Sequence, residues 1–412
     1  MKEKLNLLKE KMAGVCETHF HEFVEVSHYI YSHPELGGEE YESSRYLADY
    51  LEAQGFQVSF PYDGLPTAFN AEYGPEDAEL TIAFLAEYDA LPGFGPEDEK
   101  GERGLGHACG HNWIAAAMCG CGVTLASAAD MAKCKVRVIG TPAEETFSAK
   151  VDMARLGAFD GVDFVFQAHL SKNFSMGAVT LAMYSVEFDF HGKAAHASIN
   201  PQDGINALDG VLSMFFNMNA QRQYLREDAR VHGIITHGGK ASNVIPDFAQ
   251  CQFEIRAKTR GYLDEIRRRL IAVAQSAAEA TGTTMEYRDY ENYNDEVINL
   301  KSFAAVCERH FGELGIGGFV PEEEYEGMGS SDLGNVSYLC PTVYAEVMLD
   351  DGRPVTVHDL KAMELVDSPA AHEMMKKVIL AFTGAACELT LDPQLAEQIK
   401  SEWKTEKERR LK

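Results

Sequence analysis

The chain has 412 residues, with 37 lysines and arginines against 64 aspartates and glutamates, a formal net charge of −27. That length exceeds what one hydrophobic core usually serves, so two or three domains are expected. An acidic surface of this size repels phosphate backbones, which argues against a nucleic-acid partner. No apolar run reaches the ~18 residues of a bilayer-spanning helix, so no membrane partner is expected either.

The first residues, MKEKLNLLKEKMAG, are charged and amphipathic and lack the apolar stretch of a signal peptide. The 9 cysteines are scattered and odd in number, so a disulfide framework is not expected and the protein is read as cytoplasmic.

Residues 1 to about 60 read as helices ending in a strand. In YESSRYLADYLEAQGF, Leu47 and Leu51 keep helical spacing and Gly55 supplies the stop. Three short apolar runs follow, Leu80–Ala86, Val136–Gly140 and Val162–Phe166. Such runs, separated by helical segments, fit strands buried on both faces of a mostly parallel sheet. The segment from Asn112 to about Met131, rich in Ala, Gly and Cys, fits a tightly packed helix. Cys119 and Cys121 within it lie two apart, so they do not face one site and read as packing.

The pattern changes near residue 180. Tyr184, Val186, Phe188 and Phe190 alternate with Ser185, Glu187, Asp189 and His191, as in a strand with one wet face. The alternation returns at Ala249, Cys251, Phe253 and Ile255. With helical stretches at about 203–224 and around Leu263–Ala277, and strands near Val231–Thr236 and Thr283–Tyr290, the order is βαββαβ, a ferredoxin-like unit. The fold class is therefore α/β: a domain of residues 1–177 and 293–412 with a mostly parallel mixed sheet flanked by helices, and an inserted α+β domain over 178–292. Beyond it, EGMGSSDLGNVSYL reads as a Gly/Ser-rich loop entering a helix, Pro341–Met348 as a strand, and the tail EQIKSEWKTEKERRLK as a solvated helix or frayed end.

The chemistry begins at Gly106-His107-Ala108-Cys109-Gly110-His111-Asn112. Cys109 and His111 can reach one centre only if the backbone bends, which Gly110 permits; a thiolate and an imidazole suit zinc or a similar ion. Alone, the stretch is equally a buried cluster or a thiol nucleophile with a base. Thr141-Pro142-Ala143-Glu144-Glu145 follows an apolar strand; one Glu can bind metal while its neighbour serves as general base. By itself the pair could be an acidic helix N-terminus. His169 follows the run Val162–Phe166, and His358 follows the strand near Tyr344. Ligand-type residues at four strand ends, where open α/β sheets place their sites, point to a metal centre.

The motifs EYDALP (Glu87–Pro92), GHACGHN, TPAEE, AHL (Ala168–Leu170), GKAAHAS (Gly192–Ser198), SNVIPD (Ser242–Asp247) and GSSDLGNVS (Gly329–Ser337) resemble, in order, the dinuclear-metal aminoacylase/carboxypeptidase-G family of metallopeptidases. HPELGGEE (His33–Glu40) fits its amidohydrolase branch, closest to the β-alanyl dipeptidase and p-aminobenzoyl-glutamate hydrolase group. The resemblance implies two divalent ions per subunit (zinc, manganese or cobalt). Cys109 would bridge them, His111 and His169 would complete one shell, and Glu145 and His358 the other. It implies Glu144 as general base, Asp89 as the carboxylate that orients a ligand, and His196 reaching the partner subunit's site in a homodimer. Asn243 and Ser330 would contact substrate, and the insert would be a lid and dimerisation domain. His33, His107, His191 and Arg256 are read as structural or supporting.

The implied activity is hydrolysis of the amide bond in a small N-acyl amino acid, dipeptide or aminobenzoyl-glutamate-like substrate. A thiol hydrolase using Cys109, or a non-catalytic metal-binding homologue, are the alternatives. Two positions depart from the family pattern: Glu87 stands where the wider family has His, and Asn112 where the branch has Asp, a loss of a carboxylate beside the site. The acidic stretch Gly95–Gly104 reads as a surface loop.

Overall fold

The structure, a computed structural model, describes all residues except 63, 326–328, 350–355 and 412. The start of the expected Gly/Ser-rich loop, 326–328, and the last residue of the charged tail lie outside the described residues. Two compact units are present. One comprises Met1–Val179, Val297–Met328 and Asp332–Glu408; the other comprises Thr180–Glu296, Gly329–Ser331 and Arg409–Lys412.

In chain order the first unit opens with helices α1 (Lys2–Ser32) and α2 (Tyr41–Ala53) and strands β1 (Gln57–Ser59), β2 (Phe69–Tyr73) and β3 (Leu80–Ala86). Then come β4 (Leu91–Glu97) and β5 (Arg103–Gly106), α3 (His111–Ala126), α4 (Ala129–Ala132), β6 (Cys134–Gly140), α5 (Ala149–Arg155) and β7 (Phe164–Leu170). The second unit holds β8 (Ala182–His191), α6 (Ala207–Gln221), β9 (Arg230–His237), β10 (Phe248–Ala257), α7 (Arg260–Thr281) and β11 (Thr284–Asp289). The first unit resumes with α8 (Lys301–Glu313), α9 (Leu333–Ser337), β12 (Thr342–Val347), α10 (Leu360–Leu365), α11 (Pro369–Leu391) and α12 (Pro393–Arg410).

The first unit is built on a six-stranded sheet in the order β1-β2-β6-β3-β7-β12. From β6 to β12 the neighbours are parallel, while β1 and β2 add antiparallel pairs at one edge. Both faces are covered. Ile82, Phe84 and Ala86 of β3 enter the larger core and Ala83 and Leu85 the smaller one on the opposite face, so an unbroken apolar run is what this position requires. Strand β7 starts two residues later than its apolar run and continues to Leu170. His169 therefore sits inside the strand rather than after it. The stretch expected as a bare loop, Gly95–Gly104, is instead part of the β4–β5 hairpin, with its turn closed by Asp98, whose carboxylate accepts from the Lys100 and Glu102 amides at 2.8 Å each.

Helix α3 is buried along its whole length and packs against α1, α11 and β3. Its Ala/Gly composition is a consequence of that approach. A Cβ at Gly122 would stand 2.2 Å from Val138 Cγ2, and one at Gly120 2.5 Å from Ile379 Cδ1. The charged tail is ordered: Ile399 of α12 is fully buried and the Trp403 indole donates to Ser337 O at 2.7 Å.

The second unit has an antiparallel four-stranded sheet in the order β11-β8-β10-β9. Tyr184, Val186, Phe188 and Phe190 meet α6 and α7 in one core. The polar face is more occluded than alternation implies. Ser185 and Glu187 are buried, because Glu291 and Gln252 reach across to bond them at 2.8 and 2.9 Å. Among the described residues, no helix is long and apolar enough to cross a membrane.

Close packing of α3 gives opposite expectations for one substitution. Gly122→Ala forces a Cβ into Val138 and should cost about 1–3 kcal/mol. Gly14→Ala, mid-helix in α1 with nothing within 4 Å of the new Cβ, should gain about 0.5–1 kcal/mol. Urea-unfolding midpoints of the two variants should move in opposite directions; a shared direction would refute the packing argument.

Candidate metal centre

At the carboxyl end of the sheet, β3 delivers Glu87 and Asp89, β6 delivers Glu144 and Glu145, and β7 carries His169. Gly110 caps the start of α3 in the left-handed region (φ +79°). Any side chain there would also meet Leu170 Cδ1 at 2.5 Å, so glycine is required on two counts. The bend turns Cys109 and His111 toward the same space.

Asp89 sets the geometry. Its Oδ1 lies 2.8 Å from His111 Nδ1 and its Oδ2 accepts from the Glu145 amide at 2.9 Å. With Nδ1 so engaged, His111 presents Nε2, which is buried and has no hydrogen-bond partner among the described residues. His169 Nδ1 donates to Leu170 O at 2.9 Å, which leaves Nε2 facing Cys109 Sγ at 3.2 Å. His358, in the left-handed region (φ +60°), donates its amide to Ala108 O at 3.0 Å and sets Nε2 3.0 Å from Glu145 Oε1.

Two ligand clusters result. The donor atoms of Cys109, His111 and His169 lie within 4.8 Å of one another, as do those of Cys109, Glu145 and His358. Cys109 belongs to both. Glu144 forms a further cluster with His111 and Glu145. Thiol, imidazole and carboxylate donors in this arrangement fit divalent ions of the zinc or manganese type, and the bare His111 Nε2 is the atom such an ion would satisfy.

The electrostatics agree. Burial, and then Glu145, push the Cys109 thiol well above its usual range, so a thiolate here needs cationic charge beside it. Burial and the carboxylates of Glu87, Glu145 and Asp332 push Glu144 far up. Burial would raise Glu145 too, but the His358 hydrogen bond and the charge of His111 hold it below the ordinary value. His107 is pushed down to about 4 by burial and by His111. It faces away, with Nε2 3.0 Å from Ile30 O, and is a packing residue.

Asn112 does not border the centre. Its amide donates to Ser27 Oγ at 2.9 Å and Val366 O at 3.4 Å, because neighbouring residues on a helix point about 100° apart. Its departure from the family pattern therefore removes no carboxylate from the centre.

A buried group that the motifs leave unassigned adjoins the centre. Lys150 Nζ donates to Glu87 Oε1 and Asp332 Oδ1, both at 2.6 Å, and Gln167 Nε2 donates to Glu87 Oε1 at 2.6 Å. The carboxylates of Glu87, Glu144 and Asp332 form a cluster of their own. The available signal in the residue order is Lys150 itself, a lysine five residues past Glu145 at the start of a largely apolar helix.

In the second unit, His196 and Asn243 lie together. The Ala197 amide donates to Asn243 O at 3.0 Å, and His196 pairs with Val244. Ser330 Oγ accepts from Arg256 at 3.4 Å.

The model of a peptidase dimerisation domain matches residues 180–282. The Xaa-Arg dipeptidase of Mus musculus is 33% identical over 97% of this chain and 93% of its own length. One subunit of the p-aminobenzoyl-glutamate hydrolase of Escherichia coli is 35% identical over 65% of this chain and 57% of its own. Among solved structures, a Staphylococcus aureus putative aminohydrolase superposes with TM-score 0.75 at 21% identity, covering 92% of this chain and 99% of that one. A Bacillus subtilis dinuclear metal binding peptidase from the M20 family gives 0.65 at 20%, covering 89% and 99%; at these identities the likeness is one of fold.

Asp89→Asn should weaken binding of Zn2+ or Mn2+ to the stripped protein about 10–100-fold, since it frees the ring of His111. Asn112→Ala should leave that affinity unchanged while costing about 1–3 kcal/mol of stability. Calorimetric titration and thermal melts separate the two, and equal affinity in Asp89→Asn would remove Asp89 from its orienting role.

Proposed function

The chain belongs to the M20 peptidase family and is an amide-bond hydrolase of that family, and from that premise we propose a dinuclear dipeptidase with Glu144 as general base. The observation that carries the reading is the sharing of Cys109 between two ligand clusters, with the Glu144 carboxyl beside them. Cys109 would bridge two divalent ions, His111 and His169 would hold one, and Glu145 and His358 the other. Zinc, manganese or cobalt bound there would supply positive charge for a developing oxyanion and lower the pKa of water toward neutrality.

The chain's own residues do the rest. Glu144 takes a proton from the attacking water at its carboxylate and delivers one to the departing amine. Burial and surrounding acids raise its proton affinity, the direction a base working near neutrality needs. Asp89 keeps the ring of His111 turned so that its unpartnered Nε2 would be available to hold an ion. His196 donates a hydrogen bond to the scissile carbonyl oxygen, and Asn243 and Ser330 hold the substrate.

A homodimer is part of the reading, with His196 supplied by the second subunit. The match to a peptidase dimerisation domain supports it. So do the exposed apolar side chains of the second unit, Phe216 at 76% and Ile234 at 61%, with Leu212 and Ile235 near them in sequence on α6 and β9. Nine free cysteines support a reducing, cytoplasmic setting.

Dipeptides with a cationic carboxyl-terminal residue are the first substrates to test. The Xaa-Arg dipeptidases align over nearly the whole chain. Glu346, whose Cα pairs with that of His169 across β12 and β7, keeps its Oε2 buried with no hydrogen-bond partner among the described residues. N-acyl amino acids and aminobenzoyl-glutamate follow. A thiol hydrolase is disfavoured because burial and Glu145 push the Cys109 thiol up, away from the depressed range of a nucleophilic cysteine. A non-catalytic metal protein would have no use for Glu144.

Glu144→Gln should retain its metal and lose turnover by several orders of magnitude; full turnover would end the base assignment. Chelation should abolish activity with the fold intact by circular dichroism, whereas a thiol enzyme would survive it. Mixing His196→Ala with Glu144→Gln should restore part of the activity through heterodimers, and no recovery would place His196 in cis or outside the reaction.

A further inference from the structure

Beside the ligand clusters stands a fourth group of donors, Glu87, Glu144 and Asp332, whose carboxylate oxygens lie within 4.8 Å of one another. Opposite oxygens of an octahedral Mg2+ or Mn2+ site stand roughly 4.2 Å apart, so these side chains could themselves hold a hard cation. Two of them, Glu87 and Asp332, hold Lys150 instead. Its ammonium is fully buried and lies 2.6 Å from Glu87 Oε1 and 2.6 Å from Asp332 Oδ1. Asp332 Oδ2 also accepts from the Lys150 amide at 3.0 Å, so the residue is fixed at both ends.

Glu87 links this group to the centre. Its Oε1 is taken by Lys150 and Gln167, while its Oε2 is buried without a hydrogen-bond partner and lies 3.6 Å from His111 Nε2, itself without one among the described residues. One carboxylate thus faces the lysine with one oxygen and the ligand cluster with the other.

We propose that the Lys150 ammonium is the third cation of the centre, filling in place of a metal ion the carboxylate site made by Glu87, Glu144 and Asp332. The proposal rests on the dinuclear reading given above. Its consequence is a count. Five carboxyl groups (Glu87, Asp89, Glu144, Glu145 and Asp332) and a thiol converge here, and such a concentration of acids attracts divalent ions until its charge is offset. A fixed monocation ends that filling at two. It also keeps Glu144 from being drawn into the shell of a further ion, a state in which its lone pair would not be free to accept a proton. Lys150 is in this sense a positioning residue. It touches no substrate, and it acts by occupying the place where an extra ion would seize the base.

The test counts ions. Full-length wild type and Lys150→Met, each stripped by chelation and reloaded with Mn2+, are desalted and their metal content measured, with calorimetric titration alongside. Lys150→Met should take up one Mn2+ per chain more than the wild type, three against two, and should turn over more slowly despite the added ion. Lys150→Met/Asp332→Ala, which lacks a ligand of the new site, should return to two. An unchanged count in folded Lys150→Met, or a third ion persisting in the double variant, would overturn the proposal. So would a Lys150→Met chain that stays unfolded in saturating Mn2+, since an ion in the vacated place should restore the missing charge. The wild-type count judges the dinuclear reading separately: fewer than two ions there counts against that reading, while two ions in both chains counts only against the role of Lys150.

Discussion

The geometry of the centre depends on one carboxylate used twice. Asp89 engages the ring of His111 through one oxygen and the amide of Glu145 through the other. The loop after β3, the first turn of α3 and the loop after β6 are thereby held by a single side chain. Neither contact could be made by a longer or neutral residue without loosening the other. The parallel sheet brings those three segments to one end; Asp89 turns their proximity into fixed directions for Nε2 and for the Glu145 side chain.

Around that anchor the governing quantity is charge. Most of the donors are buried, and acids gathered in such a space resist ionisation unless cations accompany them. Cys109 and Glu144 are both driven toward their protonated forms. The same crowding that would disable an isolated thiol or carboxyl makes the pocket receptive to divalent ions. Nearby, the Lys150 pair of contacts is a buried ion group, where removal of one partner is far more disruptive than exchange of the whole set.

Much of this is legible in the residue order. Strict alternation at Tyr184–His191 and Ala249–Arg256, against continuous apolar runs elsewhere, separates a one-core antiparallel sheet from a doubly covered parallel one. The ligand-type residues Cys109, His111, Glu144, Glu145, His169 and His358 all lie in the clusters described. What stays hidden has physical reasons. β2, with Asn70 and Glu72 among its five residues, lacks the apolar density of its neighbours, since it lies toward the antiparallel edge. The full extent of β7 is obscured because Gln167 and His169 interrupt the apolar run, yet their backbones pair with β12 like any others. Asn112 looks like a site residue because it follows His111, whereas helical geometry turns it toward Ser27. Lys150 and Asp332 escape notice because lysines and aspartates usually belong to the surface; only their mutual contact makes burial tolerable.

Helix α3 joins the metal-type stretch directly to the most closely packed part of the molecule. Its first residue is His111, and every one of its side chains is enclosed. An inherited change of volume along this helix would be felt at the ring that opens it, so the helix is a poor place for new specificity to arise. Descendants of this chain that acquire different substrates would be drawn to alter other segments, such as the β4–β5 hairpin with its exposed tip, and to leave the helix as a fixed inheritance. Diversity of substrate and constancy of the centre would then be two outcomes of the same packing.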